Sequence, residues 1–239
     1  MRLKPRFPDV QERTVPPNVL SFDGLLVIVG GGVVDADLLR DLYLTGAHVV
    51  AADSGADQVV AAGLVPEAII GDFDSLANAD AWLGRTRLMR IPEQETTDFE
   101  KALYSTSAPV TVALGMTGRR FDHTLAALDV VTKYATDRAI ILVDEADLAL
   151  AISGAFSFDV QPRERVSVHP LTPIRFKRSV GLKYPLDSIR LAQGERTGTS
   201  NEAIDGPFRI EPEPKTKPWL LILDRKYLFG LAAALTARG

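Results

Sequence analysis

From Gly24 onward, short uninterrupted apolar runs alternate with stretches of helical period, and this alternation restricts the fold more than any other feature of the chain. The runs are Leu25–Val29, His48–Ala52, Ala68–Ile70, Arg87–Ile91, Val110–Leu114 and Ala139–Val143. Most are apolar on successive residues rather than on every second one, which reads as strands buried on both faces of a parallel sheet. Helical stretches lie between them, at Asp37–Leu44, Asp98–Tyr104 and Phe121–Ala135, the last with Leu125, Leu128 and Val131 on one face. Strand–helix alternation of this kind predicts an α/β fold with a doubly wound, mostly parallel sheet. After about Asp147 the helical period ends. Phe156–Val160, Arg165–His169, Ser188–Leu191, Phe208–Glu211 and Trp219–Leu223 then read as short strands between Gly- and Pro-bearing turns, the pattern of a small antiparallel sandwich-like domain. The expected parts are an irregular arm over residues 1–23, an α/β domain over 24–148 and a β-rich domain over 149–239, with a closing helix in Lys226–Arg238.

Composition removes several function classes. At 239 residues and 46% hydrophobic, the chain buries a core and is too apolar to be disordered. It has no cysteine, hence no disulfide framework, thiolate nucleophile or cysteine-based zinc site, which suits a reducing compartment. A net charge of −4 argues against a broadly basic nucleic-acid surface. The longest uncharged apolar run, Gly24 to Val34, falls short of the roughly 18 residues a spanning helix needs. The first 22 residues mix Lys4, Arg6 and Arg13 with four prolines and make a poor signal peptide. The expectation is a cytoplasmic protein with neither membrane nor nucleic-acid partners.

Three clusters carry chemistry, each at a strand-to-helix transition. In open α/β sheets ligands gather outside the carboxyl ends of the strands, and Asp53, Asp72 and Asp74 fall there. In Gly71-Asp72-Phe73-Asp74-Ser75, an extended backbone would turn both carboxylates to one side and Phe73 to the other. Paired carboxylates repel and are tolerable when a cation lies between them; the plain alternative is a Gly-Asp turn. In Glu93–Lys101, Thr97 and Glu100 form a capping box that explains both without function. The capping box does not explain Lys101, three residues after Asp98 on the same helix face; an acid for a metal beside a lysine for a phosphate accounts for both. Gly115–His123 opens a helix with two glycines, Arg119 and Arg120, a phosphate cradle unless it is only a Gly-rich turn with solvated arginines. Gly30-Gly31-Gly32 with Asp53 invites a dinucleotide reading, but Asp35 stands where the third glycine belongs. The histidines, His48, His123 and His169, are scattered, so oxygen ligands and Mg²⁺ are favoured over zinc.

In this order the clusters resemble the thiamine pyrophosphokinase family. Its acid after the second strand, its Gly-Asp-Phe-Asp-Ser and Asp-Gln-Asp-x-Thr-Asp-x-x-Lys motifs match Ala52–Gly55, Gly71–Ser75 and Glu93–Lys101. Its Gly-x-x-Gly-x-Arg-x-Asp-His motif matches Gly115–His123, and Gly181–Leu186 and Thr199–Asn201 look like two further signatures. Glu93 and Glu95 replace the usual aspartates, and Ser54 a common glycine. The resemblance implies transfer of a pyrophosphoryl group from ATP to the hydroxyl of thiamine, giving thiamine diphosphate and AMP. It implies Mg²⁺ on Asp72, Asp74 and Asp98, with Asp53 close by. Lys101, Arg120 and Asp122 would position ATP or the migrating group, with Ser54, Arg119 and His123 also at the ATP. Ser200, Asn201 and Tyr184 would bind thiamine. It further implies a homodimer whose thiamine site lies between the α/β part of one chain and the β part of the other. The competing readings are a pyrophosphokinase for another hydroxymethyl heterocycle such as a pterin, a dinucleotide-binding oxidoreductase module, and a non-catalytic binding protein.

Overall fold

A computed structural model of the chain describes residues 19–76, 82, 84–215 and 217–237. Within the arm, which was expected to be irregular, Leu20–Ser21 forms a short strand (β1); residues 1–18 lie outside the described residues. The apolar runs then become β2 (Leu25–Val29), β3 (His48–Ala52), β4 (Ala68–Gly71) and β5 (Arg87–Arg90). A two-residue strand β6 (Thr106–Ser107) pairs in parallel with β1, and β7 (Val110–Leu114) and β8 (Ala139–Val143) follow. Helices α1 (Ala36–Leu44), α2 (Gly55–Ala61), α3 (Asp98–Tyr104) and α4 (Phe121–Tyr134) connect them. Asp35 caps α1 by accepting from the Asp37 and Leu38 amides at 3.1 Å each, and Thr97 caps α3 by accepting from the Glu100 amide at 3.3 Å. Both are side-chain oxygens taking up donors that a first helical turn leaves without partners.

Six of these strands lie parallel in the order β8-β7-β2-β3-β4-β5. Alternate residues feed opposite layers. Val27, Val49 and Ile69 pack with Leu39, Leu42 and Val59 of α1 and α2. Leu26, Ile28, Val50 and Ile70 pack with Phe99, Leu103 and Val130 of α3 and α4. This two-sided burial is why the runs are apolar throughout. The chain builds outward from β2 to β5, then returns to add β7 and β8 on the other side. The direction of winding therefore reverses between β2 and β7, where such sheets open a crevice.

The large sheet does not end at β8. Strand β9 (Asp147–Ile152) turns back antiparallel to it, pairing Leu150 with Ile141 and Leu148 with Val143. The rest of the chain supplies β10 (Phe156–Phe158), β11 (Arg165–Pro170), β12 (Ile174–Val180), β13 (Arg190–Leu191), β14 (Gly198–Glu202), β15 (Phe208–Pro212) and β16 (Trp219–Asp224). Of these, β16, β11 and β14 extend the sheet beyond β9 to ten strands, and β10-β15-β12-β13 form a separate antiparallel sheet. The expected boundary at 148/149 thus falls inside β9, and the two halves share one sheet and one apolar layer. A single 3₁₀ turn at Arg225–Tyr227 leads into α5 (Leu228–Thr236), which closes the fold with Leu228, Leu231 and Ala232 buried. No helix among the described residues is long and apolar enough to cross a membrane.

Trp219 joins the two sheets. Its indole is fully buried, meets the Phe176 ring edge-on at 5.7 Å, and donates from Nε1 to the Gly154 carbonyl at 3.0 Å. Trp219→Ala is expected to lose about 3–5 kcal/mol in urea denaturation, the range for emptying a buried aromatic site. A loss under ~1 kcal/mol would mean that the sheets are held together elsewhere.

Candidate active site

The cleft opens where the winding reverses, at the carboxyl ends of β2, β3, β4 and β7, with a volume of about 640 Å³. Two glycine turns interleave at its floor: Gly30 donates to the Leu114 carbonyl at 2.8 Å and Gly32 to the Gly115 carbonyl at 2.9 Å. A side chain on Gly32 would drive into the Gly115 carbonyl, so the turns can approach only without one. Ser54 lines the cleft beside them, and Arg119 reaches across to donate to the Gly31 carbonyl at 3.1 Å.

Asp53, Asp72 and Asp74 each bring a carboxylate oxygen within 4.8 Å of the others. The convergence expected of Asp72 and Asp74 is present, but its cause differs. The segment is not extended: Phe73 is left-handed (φ 67°) and the Asp74 amide donates to Asp72 Oδ1 at 3.1 Å, so a tight turn folds the two acids together. Asp53 is also left-handed (φ 44°) and only 2% exposed, and its Oδ1 has no hydrogen-bond partner among the described residues. Burial, and then the charges of Asp98, Asp72 and Asp74, push its carboxyl up to about 6. Burial would raise Asp72 too, but the Asp74 amide, Gln94 and Lys101 together bring it down to about 2.

Lys101 is the counter-charge. Only 1% exposed, it donates to Asp98 Oδ1 at 3.0 Å and to Asp72 Oδ2 at 3.1 Å. Burial alone would lower its pKa, but the two acids hold it above the ordinary lysine value. Asp98 therefore lies beside the acidic trio and is tied to Lys101. Three contributors were not singled out from the sequence. Gln94 donates to Asp72 Oδ2 at 2.9 Å, Ser75 to Asp74 Oδ1 at 2.7 Å, and Arg90 to the Asp72 carbonyl at 3.2 Å. Gln94 and Ser75 stood inside the quoted motifs, and that was their only signal. Glu93 instead organises its own loop, accepting from the Glu95 and Thr96 amides at 2.7 and 3.0 Å, the Tyr104 hydroxyl at 3.0 Å and the Thr96 hydroxyl.

At the start of α4, Arg120 and Asp122 form two parallel bonds of 3.1 and 2.6 Å, both side chains well exposed, and the His123 amide donates to Asp122 Oδ1 at 2.9 Å. Arg120 and His123 line the cleft, with Asp122 bracing Arg120 at its edge. Tyr184, Ser200 and Asn201 lie elsewhere. Ser200 and Asn201 are on β14, five strands from β7 in the sheet, about 24 Å at ordinary strand spacing. Asn201 is buried, accepts from the Tyr184 amide at 3.1 Å and donates to the Tyr184 carbonyl at 2.7 Å. Its amide fixes the backbone of Tyr184, whose ring is 60% exposed. The cleft lining ends at Ala127, among the described residues.

The donor set suits a hard divalent cation: three carboxylates, one with a buried oxygen lacking any partner, and no sulfur or imidazole in the group. The raised Asp53 pKa has a consequence for stability. Well below pH 4 Asp53 is protonated in folded and unfolded chains alike; between about 4 and 6 the unfolded chain ionises it while the folded chain resists, so stability falls across that interval and the loss is complete above about 6. In chelator, Asp53→Asn should therefore gain about 2–3 kcal/mol over wild type at pH 8 and almost nothing at pH 4, read by urea denaturation. A gain independent of pH would assign the effect to packing instead.

A family model described as thiamin pyrophosphokinase, catalytic domain, matches residues 40–143. A thiamin pyrophosphokinase of Caenorhabditis elegans is 30% identical over 152 residues, covering 57% of this chain and 62% of the relative. One from Bacillus subtilis is 27% identical over 195 residues, covering 74% and 88%. The match thus spans less than two thirds of the worm relative's length. Among solved structures, a thiamin pyrophosphokinase from Geobacillus thermodenitrificans superposes with a TM-score of 0.68 at 26% identity, covering 84% of this chain and 96% of that one. The Candida albicans enzyme gives 0.72 at 16% identity over 87% and 94%, a likeness of fold. The family model spans less than half of the chain, and together with these relatives and the fold it likens the chain to the thiamin pyrophosphokinases.

Proposed function

We propose that the chain transfers the pyrophosphoryl group of ATP to the hydroxyl of thiamine, releasing AMP and thiamine diphosphate. The observation that carries this reading is the packing of Asp53, Asp72 and Asp74 beside a glycine-lined, arginine-bearing floor, with one buried oxygen left without a partner. Asp53, Asp72 and Asp74 would hold Mg²⁺, with Asp98 next to it. When bound, the ion supplies positive charge to the phosphate oxygens of ATP. The chain's own residues do the positioning on which such transfers depend. The glycine turns, bare of side chains, leave room for the phosphates beside Ser54, Arg119 and Arg120 neutralise them, and Asp122 keeps the Arg120 guanidinium aimed. His123 closes the cleft on the same side. Lys101 helps to keep Asp72 ionised and orients both Asp72 and Asp98. A dinucleotide-binding role gains nothing from this site, because Asp53 is buried among acids rather than open to a ribose. Absence of cysteine suits a cytoplasmic setting.

The acceptor end favours a homodimer. Tyr184 and Ser200 offer exposed groups, Asn201 works through Tyr184, and all lie about five strands from the nearest cleft strand, too far for one thiamine to bridge. A two-fold partner would bring its own β14 edge to the cleft.

Two measurements test this. Incubation with ATP, Mg²⁺ and thiamine should yield AMP and thiamine diphosphate in equal amounts, the oxygen of thiamine attacking the β-phosphorus; stoichiometric ADP with thiamine monophosphate would overturn the assignment. Mixing Asp98→Asn chains with Tyr184→Ala/Ser200→Ala chains, each nearly inactive, should restore about a quarter of wild-type activity after subunit exchange. Half of the dimers are then mixed, and each carries one intact site. No recovery, with exchange verified by differential tags, would place the whole site in one chain.

A further inference from the structure

The acids, glycine turns and arginines account for the phosphates of ATP and leave its nucleoside without a seat. In-line displacement sets the incoming hydroxyl and the leaving nucleotide on opposite sides of the reacting phosphorus. With the acids at the ends of β3 and β4 and the glycine turns at the ends of β2 and β7, a leaving nucleotide in the proposed reaction would run along the turns, away from β4. The next strand in that direction is β8, and the first residue beyond its carboxyl end is Asp144.

Three loops meet there. Gly118 is left-handed (φ 89°), and a Cβ placed on it would stand 3.7 Å from Asp144 Oδ1 and 3.9 Å from Val33 Cβ. No side chain fills that point, so a shallow notch remains between the other two. Val33, the residue after the glycine triplet, holds an apolar side chain 67% exposed at the rim. The Asp144 turn is fixed: its amide donates to the Asp147 carbonyl at 2.8 Å and its Oδ1 accepts from the Glu145 amide at 2.8 Å. Its other oxygen has no partner among the described residues. A carboxylate there repels phosphate, so it suits the part of a nucleotide that is neutral and rich in donors. Carboxylates at strand ends beside glycine turns bind ribose hydroxyls in this way.

We propose that Asp144 accepts hydrogen bonds from the 2′ and 3′ hydroxyls of the bound nucleotide while Val33 supports one face of its base. The proposal rests on the nucleotide half of the proposed function and is independent of thiamine as acceptor.

Calorimetric titration of the full chain with AMP and with 2′,3′-dideoxy-AMP, in Mg²⁺, reads it directly. Wild type should prefer AMP by about tenfold, as for hydrogen bonds to a charged group. Asp144→Ala should weaken AMP binding by about tenfold and reduce the preference to about twofold or less. Asp144→Asn retains an oxygen for the Glu145 amide, hence the turn, and should give an intermediate preference with unchanged circular dichroism. Val33→Ser should weaken both ligands equally. Wild-type AMP affinity or preference in both Asp144 variants would overturn the subsite, even if thiamine-dependent AMP release is intact. AMP binding with the expected variant pattern but no thiamine-dependent turnover would overturn the acceptor and leave the subsite standing. Failure of wild type to bind AMP overturns the subsite together with the nucleotide half of the proposed function.

Discussion

Four carboxylates crowd the ends of β3 and β4, and the buried ammonium of Lys101 clamps two of them. An ammonium at 1% exposure is sustainable only with full pairing, so Lys101 requires both Asp98 and Asp72. Asp98 opens α3 and Asp72 ends the β4 segment, so this one interaction fixes the helix against the strand that carries the acids. It also depends on Gly71. A Cβ there would stand 2.8 Å from Asp53 Cβ and 3.1 Å from Asp98 Oδ1, so any side chain at this position would push the acids apart. The glycine of the motif is a matter of space, since its backbone is ordinary strand.

The fold determines where this charge is exposed. Because the winding reverses between β2 and β7, the helices after those strands pack on opposite faces of the sheet and leave a crevice above the interleaved glycine turns, beside the acids. The antiparallel continuation β9-β16-β11-β14 then places β14 four strand spacings beyond β8, with β16, last in the chain, returning to fill the place between β9 and β11. A shorter second half would have left the β14 edge near its own cleft. The continuous sheet makes the separation rigid, and hence suited to presenting that edge to another copy.

The parallel half was legible in the sequence because its strands are buried on both faces and its helices on one. Those periods differ, and the strand bounds agree to within a residue. Elsewhere the signal fails for physical reasons. Strand β9 has the sequence Asp-Leu-Ala-Leu-Ala-Ile, with the strong helix formers Leu and Ala at four of six positions, and becomes a strand because β8 and β16 flank it. In β12, the buried Ile174 and Phe176 alternate with Arg175 and Lys177, whose partners Glu213 and Glu211 come from distant sequence. The site was legible as a set of motifs, but its geometry was not. Glu93, which stands in place of a motif aspartate, is spent on its own loop. Asn201 looked like a ligand contact and is engaged with Tyr184. Glu93 is held by amides two and three residues on and by the Tyr104 hydroxyl, and Asn201 by the Tyr184 backbone, contacts that the motifs alone do not reveal.

Phe73 is where local preference and function conflict most directly. A left-handed backbone suits asparagine, aspartate or glycine, and at a phenylalanine it costs about 1–2 kcal/mol. The ring offsets part of that by packing partly buried against the core cluster of α1 and α2. The ring thus anchors a turn that the backbone resists. Had Phe73 relaxed to the extended form, Asp72 and Asp74 would still share a side, but at strand spacing. The turn brings their oxygens within 4.8 Å of Asp53 as well. Asp53 is itself left-handed, so both segments that carry the acidic trio depart from strand geometry just where β3 and β4 end. The sheet supplies the rigidity that sustains these departures, and the departures turn three strand-end carboxylates into one site with a common focus.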